Sequence, residues 1–178
     1  MNLTAKIVRL HDTLSRAALP HAFGGALALA WCTQRARGTI DIDVNIFVGT
    51  DAAADALRGL PRQVARSDAD LTALHTDGQV RLWWDATPVD VFLNTTEFHE
   101  QAAARARLEP FAGRQMPFLA CDDLAVFKAF FNRSKDWVDL EEMITAGALD
   151  IDRVVGVLDR YLGSNDERID RLRSLRDR

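Results

Sequence analysis

The chain reads as an α+β protein, a small mixed β-sheet flanked by helices and followed by a helical C-terminal part. Three observations predict this. Apolar and polar residues alternate over 40–48, and 79–84 and 88–93 read as two further strands joined by a tight turn, as sheet strands do. Apolar residues recur at steps of three and four over 3–19, the stripe of an amphipathic helix. From Asp122 onward the pattern is helical throughout. The 178 residues suffice for one good-sized core, or for a core with a helical annex. We expect a core over 1–120 with a helical region over 121–178 packed on it.

The elements follow in order. Leu3, Ile7, Leu10, Leu14 and Ala18 form the first helix's stripe, and Pro20 ends it. Residues 26–34 are apolar almost all round, which predicts a buried helix just after Gly24-Gly25. Ile40, Ile42, Val44, Ile46 and Val48 alternate with Asp41, Asp43, Asn45 and Phe47, predicting a strand with one acidic face. Asp51 is placed to cap a helix that Pro61 closes. A short helix over 68–75 precedes an Asp77-Gly78 turn. Strands 79–84 and 88–93 are joined by a tight turn at 85–87, and a helix over about 96–106 follows. Pro110, Gly113 and Pro117 predict an irregular or short-stranded stretch over 108–119. Helices are expected at about 122–132, 136–146, 150–162 and 165–177, with Gly147 and Gly163 as C-terminal stops.

Composition narrows the function classes. The net charge is -4, which gives no general footprint for extended nucleic acid, although a local basic patch is compatible with it. No run approaches the apolar length of a membrane span, and the N-terminal pattern is not that of a secretory signal. Cys32 and Cys121 lie far apart without a CxxC partner, so neither a disulfide framework nor a zinc site is indicated, and a cytoplasmic, reducing location is expected. His11, His21, His75 and His99 are scattered and form no metal set.

The chemistry is concentrated in the acidic strand. Asp41 and Asp43 stand at i and i+2, so both point to one face while Ile42 turns the other way. Carboxylates held that close repel, and a cation between them offsets the cost. Oxygen ligands with no His or Cys nearby select Mg²⁺ or Mn²⁺ over zinc. Asp90, the polar residue of Val89-Asp90-Val91, would complete a three-carboxylate cluster if its strand lies alongside.

His21-Ala22-Phe23-Gly24-Gly25-Ala26, then Arg37-Gly38-Thr39-Ile40-Asp41-Ile42-Asp43-Val44, resembles the defining motif of the DNA polymerase β nucleotidyltransferase superfamily. Val89-Asp90-Val91 resembles that superfamily's third-aspartate strand. Asp123 to Lys128 and Arg133 to Leu140 are similar to the minimal, AbiEii-type nucleotidyltransferases of toxin–antitoxin systems. The resemblance covers about residues 20–145 and implies a nucleotidyltransferase fold. It implies that Gly24 and Gly25 let the backbone approach a nucleoside triphosphate (NTP). It implies that Asp41, Asp43 and Asp90 hold Mg²⁺ or Mn²⁺, and that Asp90 helps to deprotonate an acceptor hydroxyl. Transfer of a nucleoside monophosphate would then release pyrophosphate. Lys128, in an apolar helix stretch, must snorkel or meet an anion, and the resemblance implies contact with the nucleotide phosphates. Arg37 and Thr39 fit the approach to Asp-x-Asp in the narrower group. Arg133, Lys135, Asp136 and Asp139 form a charged helix start, read either as dipole partners or as groups orienting Lys128.

The pair is Gly-Gly where Gly-Ser is common, so no serine hydroxyl serves the phosphates. The acceptor, whether RNA, protein or small molecule, is left open. One rival reading is a catalytically silent partner, such as one half of a toxin–antitoxin pair with a cognate antitoxin or toxin. Another is a plain ligand-binding domain with a chance Asp-x-Asp. Of the neighbours Trp83 and Trp84, at least one is expected in the core, leaving the other to stack on a base.

Overall fold

The computed structural model describes residues 1–176. They form two compact units: Met1–Leu27 with Gly38–Leu119, and Ala28–Arg37 with the chain from Ala120 onward. Helix α2 (Gly25–Thr33) begins in the first and continues into the second.

The first unit is built on a seven-stranded mixed sheet. Its strands are β1 (His21–Phe23), β2 (Ile42–Gly49), β3 (Val64–Ala65), β4 (Gln79–Trp84), β5 (Thr87–Asn94), β6 (Arg107–Phe111) and β7 (Arg114–Phe118), in the spatial order β3-β4-β5-β2-β1-β7-β6. Strands β2 and β5 are parallel neighbours, while β1 lies antiparallel on the other side of β2. The expected alternation of burial on β2 is therefore blurred. It buries Asn45 and Phe47 as well as Ile42, Val44 and Ile46, so both faces of this central strand are covered over 44–47. Ile40 stays 80% exposed, so β2 begins at Ile42, two residues later than the alternation suggests.

Helix α1 (Leu3–Arg16) is capped by Asn2, whose side chain accepts from the Ala5 N–H, and it buries Ile7, Leu10 and Leu14 as expected. Lys6 is buried with them. Its Nζ donates to the Trp84 carbonyl at 2.6 Å and the Thr87 hydroxyl at 3.0 Å, and pairs with Asp85 at 3.1 Å, clasping the β4–β5 turn. Helix α3 (Ala53–Gly59) follows a 3-10 turn over Thr50–Ala52 and has no side-chain cap, so Asp51 does not serve as one. Helix α4 (Asp68–Asp77) has a capping box from Ser67 and Asp70 and ends on Gly78 at φ 68°, where only a residue without Cβ is unstrained. Helix α5 is Glu97–Arg105. The stretch read as irregular is a regular antiparallel hairpin, β6–β7. Its prolines are tolerated because Pro110 lies on an edge strand and Pro117 precedes Phe118, the one residue of β7 in register with β1. Trp84 is buried and Trp83 is 49% exposed.

The second unit gathers α6 (Cys121–Phe131), α7 (Ser134–Thr145), α8 (Ile151–Leu162) and α9 (Glu167–Arg176) with the later part of α2. The expectation that the last helix reaches residue 177 lies outside the described residues. Trp137, Leu140, Met143, Val154, Leu158, Ile169 and Leu172 form this unit's core. Asn132 ends α6 at φ 55° and accepts from Trp137 Nε1 at 2.7 Å. Cys32 and Cys121 are joined in a disulfide, which corrects the expectation of no disulfide. Distance along the chain does not measure distance in the fold, and the pairing removes the basis for reading a reducing compartment from these cysteines. Among the described residues no helix is long and apolar enough to cross a membrane.

Candidate functional site

The sheet places the acidic residues. In the parallel β2–β5 pair, Asp43 and Asp90 are register partners, so two carboxylates remote in sequence stand side by side. Asp41 enters β2 from a short turn held by Thr39. The Thr39 hydroxyl donates to the Asp41 carboxylate at 2.6 Å and accepts from the Asp41 N–H at 3.3 Å. Asp41, Asp43 and Asp90 are each part-exposed, which leaves them open to a ligand.

The glycine pair lies against the same strand. Phe23 pairs with Val44, and the Gly24 N–H donates to the Asp43 carbonyl at 3.0 Å. Gly25 opens α2 at φ 52°, and a Cβ built there would lie 1.9 Å from Asp43 Oδ2. No side chain fits between this turn and the carboxylate, so the glycine is required by close approach as well as by conformation. Gly24, Gly25, Thr39, Asp41, Asp43 and Asp90 therefore belong to one edge of the first unit.

A residue the sequence reading missed completes the picture. Arg81 on β4 is the register partner of Asp90 and grips it with two bonds, Nε to Oδ1 at 2.7 Å and Nη2 to Oδ2 at 2.7 Å. The Asp90 bonds and charge, with Asp41 and Asp43 adding, push the guanidinium's pKa further up. The signal was present: a tight turn at 85–87 between β4 and β5 puts position 81 opposite 90. Opposite charges facing across a strand pair are a favourable pairing.

Among the described residues no three His, Cys, Asp or Glu side chains are gathered into a metal-holding group. The chemistry of the donors, all carboxylate oxygens, is the kind a hard divalent cation takes, and Arg81 lies in the field of all three carboxylates.

Lys128 and Arg37 lie in the second unit and meet at one carboxylate. Lys128 is buried, its Nζ 2.6 Å from Asp139 Oδ2 and 3.8 Å from Asp136 Oδ1. Arg37 Nη1 lies 2.6 Å from Asp139 Oδ1 and 3.2 Å from Glu142. Asp136 also receives Arg133. Asp136 and Asp139 thus partner Lys128 directly, and the sequence alternative of snorkelling does not describe it.

His11 and His21, read as scattered, are in contact. His11 Nδ1 lies 2.9 Å from His21 Nε2, and His21 Nδ1 lies 2.8 Å from the Leu19 carbonyl. The carbonyl can only accept, so His21 donates from Nδ1 and receives at Nε2. Burial, above all, lowers both pKa values.

No family model matches the chain, and no curated protein matches it in sequence. Solved structures do. The solution structure of the antibiotic-resistance factor ANT(2'')-Ia aligns with a TM-score of 0.57 at 14% identity, covering 98% of this chain and 89% of that one. A crystal structure of ANT(2'')-Ia in complex with adenylyl-2''-tobramycin aligns at 0.55 and 15% identity, covering 98% and 97%. An antigenic nucleotidyltransferase-like protein from Paracoccidioides brasiliensis aligns at 0.51 and 13%, covering 93% and 91%. At such identities the likeness is one of architecture, and the chain has the nucleotidyltransferase fold.

Proposed function

We propose that the chain is a metal-dependent nucleotidyltransferase that moves a nucleoside monophosphate from an NTP to an acceptor hydroxyl, with release of pyrophosphate. The observation that carries this reading is the pairing of Asp43 with Asp90 in register on parallel strands, beside a Gly24-Gly25 turn packed on Asp43. Asp41, Asp43 and Asp90 would hold Mg²⁺ or Mn²⁺, which when bound supplies charge neutralisation for the triphosphate. The chain's own part is positioning. Gly25 and the first amides of α2 present N–H groups to anionic oxygens, Thr39 orients Asp41, and Asp90 accepts the proton of the acceptor hydroxyl. Catalysis of this kind is mainly alignment and electrostatics.

The phosphate role expected of Lys128 is a separate part of the proposal, and requires its ammonium to exchange the Asp139 carboxylate for a phosphate oxygen. The narrower AbiEii-type grouping, with a toxin or antitoxin partner, rests on the sequence resemblance of Asp123 to Lys128, Arg133 to Leu140 and the Arg37 and Thr39 approach. The complex of ANT(2'')-Ia with adenylyl-2''-tobramycin supports trying small-molecule acceptors first.

Thermal-shift titration with each ribonucleoside triphosphate, with and without Mg²⁺, tests the site. Wild type is expected to gain melting temperature through ligand linkage, and Asp41→Asn/Asp43→Asn is not. A folded wild type indifferent to every triphosphate with Mg²⁺ sinks the proposal. A labelled-transfer screen over candidate acceptors then addresses the second half of the reaction.

A further inference from the structure

We propose that Arg81 is the resident counter-ion of the acidic strands, and that a divalent cation and the Arg81 guanidinium exclude one another at Asp90. The inference rests on the metal reading above and goes beyond it by assigning a competitor within the chain.

The geometry carries it. Strands β4 and β5 set Arg81 directly opposite Asp90, and the two side chains meet through two parallel bonds of 2.7 Å, one to each carboxylate oxygen. That fork is the strongest grip a side chain offers a carboxylate. Whichever Asp90 oxygen a metal took is thereby already engaged by the guanidinium. The partners differ in freedom. The Asp90 side chain is 15% exposed and the Arg81 side chain 53%, so the carboxylate is the more enclosed of the two while the guanidinium has solvent beside it. Arg81 is the partner that can leave.

Charge supplies the rest. With no cation present, Asp43 and Asp90 as strand partners, with Asp41 close by, would repel one another, and Arg81 relieves that repulsion. A divalent ion at the same oxygens relieves it more strongly and stands too close to a guanidinium for both to remain. Metal entry therefore costs the two Arg81 bonds, and Arg81 sets the threshold concentration at which the site fills. An ordinary cross-strand ion pair would instead stabilise the sheet a little and leave metal affinity unchanged.

The experiment is a calorimetric titration of the full chain with Mn²⁺ alone, in wild type, Arg81→Gln and Arg81→Lys, with melting temperatures recorded at zero and saturating Mn²⁺. Arg81→Gln is expected to bind Mn²⁺ about tenfold tighter or more. Arg81→Lys, which replaces the fork by a single ammonium, falls between the two. Without metal Arg81→Gln melts lower than wild type, and saturating Mn²⁺ narrows the gap. Adding Asp41→Asn/Asp43→Asn to Arg81→Gln removes the gain in affinity. Measurable Mn²⁺ binding by wild type with no increase in either variant overturns the competition and leaves the metal reading standing. Binding by the variants but not by wild type supports it in its strongest form. If neither wild type nor any Arg81 variant binds Mn²⁺, the metal reading fails, and this proposal fails with it.

Discussion

At the scale of single residues, what the sequence shows is chemical type and what it hides is partner. Asp41, Asp43, Asp90 and the glycine pair could be named as candidates because their order along the chain resembles a family motif, and the β2–β5 register sets Asp43 beside Asp90. Lys6, Arg81 and the His11–His21 contact were not, since each depends on which element arrives alongside. Gly25 shows the difference: the motif announces it, but only the structure gives the reason, the Asp43 carboxylate where a Cβ would go. Gly25→Ala is expected to cost about 1–3 kcal/mol from backbone strain at φ 52°, with the clash added, and to abolish triphosphate-dependent stabilisation. Urea unfolding with and without Mg²⁺ and ATP measures both. The histidines carry a pH dependence. His11, His21 and His99 have pKa values lowered from 6.5 in the fold, mainly by burial, so the unfolded chain binds more protons. Their contribution is complete above pH 6.5 and is lost as pH falls through the lowered values. Stability measured from pH 7.5 to 5 should decline, and His11→Gln/His21→Gln should flatten the slope.

At the scale of elements, helices with a clear stripe and strands with clear alternation were read nearly to their ends. The failures have separate causes. Prolines in β6 and β7 masked a hairpin, because a chain read alone does not say which strand is an edge. Strand β3 is too short to carry a period. The α6–α7 pair is locked by a buried network whose members looked like a solvated helix start. Breaking one side of it should be costly: Asp139→Ala leaves Lys128 only the longer contact to Asp136, and breaking a buried pair costs up to about 3–5 kcal/mol. The paired change Lys128→Met/Asp139→Leu should cost clearly less. Equal losses in the two unfolding curves would argue that Lys128 already reaches water.

At the scale of the whole molecule, the α+β class was legible from the switch of periodicity near residue 120, whereas the cysteine pairing was not. The Cys32–Cys121 bond closes a separation of 89 residues, and closing a long loop restricts the unfolded chain most. Cys32→Ser/Cys121→Ser, or reduction by dithiothreitol, is expected to lower stability by about 2–4 kcal/mol. An unchanged midpoint in denaturant would show that the bridge contributes nothing.

The parallel pairing of β2 with β5 has a consequence for how the molecule assembles. Between those strands lie α3, β3, α4 and β4, a loop that must close before Asp43 can face Asp90, and such non-local pairing forms slowly because loop closure precedes its reward. The acidic edge should therefore be among the last features to appear during refolding. Arrival of the Mn²⁺ binding signal, followed in time after dilution from urea, would then clock the completion of topology, lagging behind the recovery of helical circular dichroism.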